Sequence, residues 1–214
     1  MLSIHRAERA DALVAGLAAL LARSVGDPMR PEVVAVPSRG VERWLAQQLS
    51  HVLGAGAAGD GVCANVEFPS SSALLDELLA EADPEYAAAV EAWQPERVHW
   101  PLLDLVDRTA PVEPWLAVLA AHLGLGADRG AAGDRGRRLS VVRKLALLFD
   151  RYGRARPDLI AGWRQGVDGV PDDLVWQPRL WRLLRDELGV PAPAELLDQA
   201  CAAVGAGPAF SVFG

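Results

Sequence analysis

A chain of 214 residues, 51% of them hydrophobic, is long enough to bury a core and too apolar to stay disordered. Its net charge of −7 and pI near 5.1 exclude a uniformly basic, non-specific nucleic-acid binder, so any nucleic-acid role must rest on local patches. Two cysteines, Cys63 and Cys201, stand far apart without C-x-x-C spacing, which excludes a disulfide framework and a zinc ribbon and points to a cytoplasmic protein.

In chain order, "LSIH" (Leu2 to His5) reads as a short strand, followed by a helix from about Glu8 to Val25 with Leu13, Leu17, Leu20 and Leu21 at helical spacing. The apolar run inside it, Ala12 to Ala22, imitates a signal-peptide core. Glu8 and Asp11 precede it, no A-x-A pattern follows, and it falls short of the ~20 apolar residues that span a bilayer. "GDPMRP" breaks the chain, and "EVVAV" then reads as a strand covered on both faces of a parallel sheet. Gly40 opens a tight turn into a helix whose inner face is marked by Val41, Trp44, Leu45, Gln48, Leu49 and Val52. "VCANVEF" (Val62 to Phe68) gives a third strand and "PSSSALLDELLAEA" a third helix, with Ser70 to Ser72 as N-cap candidates. Strand and helix thus alternate three times, the pattern of an α/β doubly wound sheet.

From Asp83 onward only helices are expected, near 84–93, 98–109, 113–123, 138–153, 156–164, 176–188 and 193–204. The glycine-rich "GLGADRGAAGDRG" (Gly124 to Gly136) between them reads as a flexible loop. The closing "AFSVFG" reads as a strand that returns to the opening sheet, in what is expected to be the front part of a longer protein. The expected organisation is therefore an α/β subdomain over 1–82, a helical subdomain over 83–205 and the returning strand over 206–214.

The stretch "VVAVPSRGVERWLAQQL" (33–49) has the strand, turn and helix that hold phosphates in P-loop enzymes. A P-loop also requires a lysine and a hydroxyl directly after its glycine, to reach the terminal phosphates and magnesium. Here Val41 and Glu42 follow Gly40, and the only lysine of the chain is Lys144. The frame is present without its chemistry, so it either merely builds the sheet or faces a ligand other than ATP. "GAGAAG" (Gly54 to Gly59) matches the dinucleotide pattern G-x-G-x-x-G but follows a helix rather than a strand, and reads as a loop.

Charge is unevenly distributed. Between Asp128 and Arg156 nine basic residues face three acidic ones, a local +6 that leaves −13 for the rest. In "RLSVVRKLALLFDRYGRARP" the residues Val141, Val142, Leu145, Leu148, Phe149 and Tyr152 form the inner face and put Arg143, Lys144 and Arg151 outside. Such a stripe can follow a phosphate backbone or can be a solvated face paired with acidic neighbours. Of seven tryptophans at least five read as packing residues, while exposed ones would be able to stack on bases. The four histidines show no ligand spacing, and neither a Ser-His-Asp arrangement nor a nuclease-like carboxylate cluster is present, so no catalytic or metal-binding residue is assigned.

Four stretches taken together, "VVAVPSRGVERWLAQQLS", "CANVEFPSSSALLDELL", "LALLFDRYGRARPDLIAGW" and "WQPRLWRLLRDELG", resemble in order and spacing the N-terminal region of the RecC (gamma) subunit family of exodeoxyribonuclease V, the RecBCD helicase-nuclease. The final "PAFSVFG" is similar to that family's returning strand. The resemblance implies a degenerate superfamily-one-helicase-like (P-loop-type) parallel sheet with a large all-helical insertion and without ATPase motifs, which accounts for the missing lysine. It implies a non-catalytic role in channelling single-stranded DNA and scanning it for Chi during recombinational repair of double-strand breaks. It also implies RecB-like and RecD-like partner subunits that use ATP and magnesium, no cofactor in this segment and no membrane. Channel-lining positions of the family fall at Pro37, Arg39, Arg43, Ser70, Asp76, Leu147, Leu148, Asp150 and Arg156; the arginine stripe adds Arg143 and Arg151. Leu148, Asp150 and Arg156 keep the family's residue types, whereas Pro37, Arg39, Arg43, Ser70 and Asp76 depart from them, which puts reading of the same Chi sequence in question. In these positions Arg39 and Arg43 suit phosphate contact or bidentate guanine reading, and Asp150 suits orienting Arg156 or accepting from a base amino group.

Two other readings remain open at this level: an active P-loop motor, against which the lysine speaks, and a helical module that holds protein partners without touching DNA. The surroundings of Arg143, Arg151 and Arg156 discriminate between the DNA and protein readings.

Overall fold

Prolines, glycines and capping side chains set where the helices of this chain start and stop. A computed structural model describes residues 3–23, 27, 29–54, 61–125 and 134–206. They divide into two compact units at 75/76, inside the third helix.

In the first unit, α1 (Ala10–Leu21) and α2 (Arg39–Ser50) pack together, and β1 (Glu32–Val33) pairs in parallel with β2 (Val66–Glu67). Val14, Ala18, Val36, Leu45 and Leu49 form its buried core, with Val34, Val41 and Phe68 packed at the margin. α2 starts where the Ser38 hydroxyl accepts the Val41 N–H at 3.3 Å, and Glu42 in its first turn suits the positive end of the helix dipole. α3 (Ser71–Ala82) is capped in the same way by Ser70, whose Oγ accepts the Ala73 N–H at 3.1 Å.

The second unit is all helical among its described residues. α4 (Pro84–Ala92) begins with proline behind an Asp83 cap, and α5 (Pro95–Thr109) again begins with proline. A short 3-10 turn, Pro114–Leu116, leads into α6 (Ala117–Leu123), which Gly124 ends in the left-handed region at φ 69°. α7 (Asp134–Ala155), α8 (Pro157–Arg164), α9 (Trp176–Leu188) and α10 (Pro193–Ala206) follow, α9 ending on Gly189 at φ 66°. α7 packs chiefly on α5, with α6, α8 and α10 also against it.

The main core joins α5, α7, α8 and α9 around Leu102, Val142, Phe149, Trp163, Trp181 and Leu184. Trp163 lies edge-on to Phe149, Tyr152 and Trp181 with ring centroids 5.5–6.2 Å apart, and its indole N–H donates to the Asp168 carbonyl at 2.6 Å. Trp93 stacks on Trp181 and donates to the Val190 carbonyl, so the indole N–H groups of Trp93 and Trp163 are both paired within the core. A smaller cluster, Leu79, Tyr86, Ala89, Leu196 and Ala200, joins α3, α4 and α10. Five tryptophans pack on or in the main core, as helical spacing beside leucines led one to expect, while Trp100 is exposed and so is Trp44, which that spacing had put on the inner face of α2.

The expected α/β class is overturned. The described residues are mostly helical and hold one two-stranded parallel sheet, which is no clear helicase-like or doubly wound sheet. "EVVAV" does run beside "NVEFP", with the Val34 N–H donating to the Glu67 carbonyl and the Val36 N–H to the Pro69 carbonyl. Pro69 has no N–H to give back, however, and no further strand adds to either edge among the described residues. Residues 3–5 are not in a strand. Of the expected strand over 206–214, Ala206 instead ends α10, and the rest lies outside the described residues, as do the glycine-rich segment at 55–60 and the core of the expected loop at 126–133.

The tight glycine turn is also corrected. Gly40 is the second residue of α2, and a Cβ there would meet only the Ser38 hydroxyl, at 3.7 Å. The turn is made by Pro37 and the Ser38 cap, with no positive φ at Gly40 to require a glycine.

Candidate nucleic-acid interface

Four of the expected contact residues fall in the first unit. Pro37, Arg39 and Arg43 are exposed, the two arginines one helical turn apart at the start of α2. Neither arginine has an ion pair among the described residues. Ser70 is exposed, but its hydroxyl is engaged as the cap of α3 and lies 3.1 Å from Ser72 Oγ.

The remaining ones belong to the second unit and gather on α7 and beside it. α7 is held by its inner face: Val142, Leu145, Ala146 and Phe149 are buried, and Val141, Leu148 and Tyr152 are packed against the same core. Leu148 is therefore mainly a packing residue. On the opposite face Arg143, Leu147 and Arg151 recur every fourth position, about 6 Å apart along the axis, with Lys144 beside them. All four are exposed, Leu147 at 45%, and none of the three cations has an ion pair among the described residues.

Below this stripe the charges are paired. Arg154 Nη1 donates to Asp76 Oδ2, and its Nε donates to both oxygens of Asp150 at 3.0 and 3.2 Å. The Tyr86 hydroxyl donates to the other Asp76 oxygen at 2.9 Å. One guanidinium and one phenol thus tie α3, α4 and α7 together. Burial, and after it the charge and hydrogen bond of Asp76, push the Tyr86 phenol well above its ordinary range, so it remains a donor. Burial opposes the charge on Arg154, but its two carboxylate partners outweigh that and raise its pKa further.

Asp150 therefore holds Arg154 and not Arg156, contrary to the expected pairing. Arg156 occupies the position just before α8, without a side-chain cap, and makes a two-point contact with Asp158, at 3.0 and 2.8 Å, in which both side chains are exposed. The contact raises the arginine pKa and lowers that of Asp158 below the usual carboxylate range. Two of the three discriminating arginines, Arg143 and Arg151, are open to solvent, and the third faces a carboxylate.

Sequence reasoning left out Arg154. An i,i+4 spacing from Asp150 was the only local signal of its role, because its contact with Asp76 spans 78 residues. Among the described residues no group of three or more His, Cys, Asp or Glu side chains is placed to hold a metal ion. No described helix is long and apolar enough to cross a membrane.

Comparison with known proteins places this chain in a family. The family model of the RecC N-terminal domain matches residues 2–209. The "RecBCD enzyme subunit RecC" of Mycobacterium tuberculosis is 46% identical over 212 residues, which is 97% of this chain and 19% of that protein. The protein of the same name from Mycolicibacterium smegmatis is 44% identical over 90% of this chain and 16% of its own length. That from Escherichia coli K12 is 29% identical over 89% of this chain, again 16% of its own length. The chain thus spans under a fifth of the length of the curated relatives it matches.

Proposed function

This chain belongs to the RecC N-terminal domain family, and from that premise we propose that it is a non-catalytic, DNA-contacting and scaffolding segment of a RecBCD-type enzyme in recombinational repair. The observation that carries the reading is the outer face of α7. Among the described residues Arg143, Lys144 and Arg151 have no carboxylate partner, and they stand around an exposed leucine on a helix whose other face is fixed in the core. Free cations on a rigid element can neutralise phosphates without first giving up an ion pair, and Leu147 offers an apolar contact to an unstacked base.

In this reading the strand is the single-stranded tail of a duplex end; Arg39 and Arg43, in the first unit, are a separate candidate set of phosphate contacts. ATP and magnesium belong to RecB-like and RecD-like partner subunits, and the segment itself needs no cofactor and works in the cytoplasm. Scanning for a Chi-like sequence would rest on residues near the stripe. Asp76 and Asp150 enter it through Arg154, whose charge offsets both carboxylates.

Anisotropy of a labelled single-stranded oligonucleotide tests this. The chain binds, and an Arg143→Glu/Arg151→Glu variant with an unchanged circular dichroism spectrum binds at least tenfold more weakly. Equal binding by the variant, or none by the folded chain, ends the reading and leaves a protein-holding helical module. The spent charges of Arg138, Arg154 and Arg156, all paired with carboxylates, favour that second reading for the remainder of the helical unit.

A further inference from the structure

Phosphates are the same in every sequence, so cations that meet them hold a strand without reading it; reading needs groups that meet base edges. A carboxylate reads by accepting from an amino group, as on cytosine. From Arg143 to Arg154 the sequence holds one carboxylate, Asp150. It follows Leu147 by three residues on α7, which makes the two side chains neighbours on the helix surface, so a base resting on Leu147 brings an edge within reach of Asp150. Asp76 joins it on the same guanidinium.

Both carboxylates are engaged. Arg154 Nε donates to Asp150 Oδ1 at 3.0 Å and Oδ2 at 3.2 Å, its Nη1 donates to Asp76 Oδ2, and the Tyr86 hydroxyl donates to Asp76 Oδ1 at 2.9 Å. Each carboxylate oxygen thus accepts a hydrogen bond, and both groups face a cation. An oxygen keeps a further lone pair, but an amino group that approaches it meets the N–H donors of Arg154, positive against positive. Burial does not hide the pair, because the Asp76, Asp150 and Arg154 side chains keep 22%, 25% and 44% of their surface. The guanidinium is what withdraws the acceptors.

We propose that Arg154 is a specificity-determining residue: by occupying Asp76 and Asp150 it makes the α7 face hold a single strand without selecting bases by their amino groups. The inference rests on the DNA reading and narrows it. A strand that is to be scanned has to slide, and a face that takes no account of base amino groups lets it pass, leaving any reading to groups other than these two carboxylates.

Oligo-dC and oligo-dU of equal length test this, because cytosine and uracil differ only on the pairing edge, where cytosine carries an amino donor and uracil a carbonyl acceptor. Both are labelled and titrated by anisotropy against this chain and its variants. The parent binds them within about threefold of each other, and Asp150→Ala shifts their ratio by less than twofold. Arg154→Gln, with an unchanged circular dichroism spectrum, shifts the ratio towards oligo-dC by at least about fivefold, the low end of what one good contact to a base edge discriminates. Arg154→Lys, which keeps a cation between the carboxylates, leaves the ratio near that of the parent. A parent preference for oligo-dC that Asp150→Ala abolishes overturns the proposal, and this comparison does not depend on Arg154→Gln folding. An unshifted ratio in folded Arg154→Gln, the outcome of a purely structural ion pair, overturns it as well. Binding of neither oligonucleotide by the folded parent ends the DNA reading itself, a result distinct from binding with a preference.

Discussion

At the scale of single residues, the two arginines that are free and the one that is not divide the site between binding and holding. Arg154 neutralises Asp76 and Asp150, whose side chains are 22% and 25% exposed. Removing it leaves two half-sequestered carboxylates without a counter-charge. Arg154→Met is therefore expected to cost about 1–3 kcal/mol, between the ~0–1 of an exposed pair and the ~3–5 of a broken buried one; urea unfolding measures it. Arg156→Met, which breaks only an exposed local pair, stays within about 0.5 kcal/mol of the parent. A second residue gives a pH signature. Burial pushes the Asp83 carboxyl up, but hydrogen bonds from Gln199 and from the Tyr86 and Glu85 amides outweigh it, so its pKa is lowered. A lowered folded pKa means stability that is present above the unfolded value near 4 and is lost as pH falls through the folded one. The stability gap between the parent and Asp83→Asn should be full at pH 7 and close as pH falls below about 4. A gap that does not change with pH would contradict this. The outward direction of Arg143 and Arg151 was legible from helical period alone, because the alternation of core and solvent is a local pattern. The partner of Arg154 was not, since nothing local encodes a contact across 78 residues.

At the scale of elements, the helices were readable and the sheet was misread. α9 coincides with its expected span, because the amphipathic stripe ends on a glycine that takes up the left-handed conformation. The run "EVVAV" is apolar and bounded by prolines, which satisfies the local rule for a central strand. Its covering on both faces and its further neighbours are tertiary facts, and the described residues supply a single partner strand. The same applies to the loop after it. A phosphate-binding turn depends on its glycine, whereas Gly40 sits inside the first turns of α2 with room for a methyl group. Gly40→Ala is accordingly expected to be neutral or to stabilise by up to about 1 kcal/mol, through helix propensity and a less flexible unfolded chain. A loss of more than about 1 kcal/mol in thermal unfolding would show that the turn needs its glycine after all.

At the scale of the molecule, a chain with net charge −7 is proposed to contact a polyanion. The proposal holds together only because the positive charge is local: the segment from 128 to 156 carries +6 while the rest carries −13. Family membership and the helical core agree with a scaffold. The DNA contact is the claim on which the functional account turns, and its most direct test is the salt dependence of single-stranded DNA binding. For single strands, log Kobs falls with log salt at about 0.7 per phosphate neutralised. If Arg143 and Arg151 each meet a phosphate, Arg143→Gln/Arg151→Gln should bind more weakly and with a slope shallower by about 1.4. Identical slopes in the parent and the variant, with both folded, would mean that the strand does not run along α7.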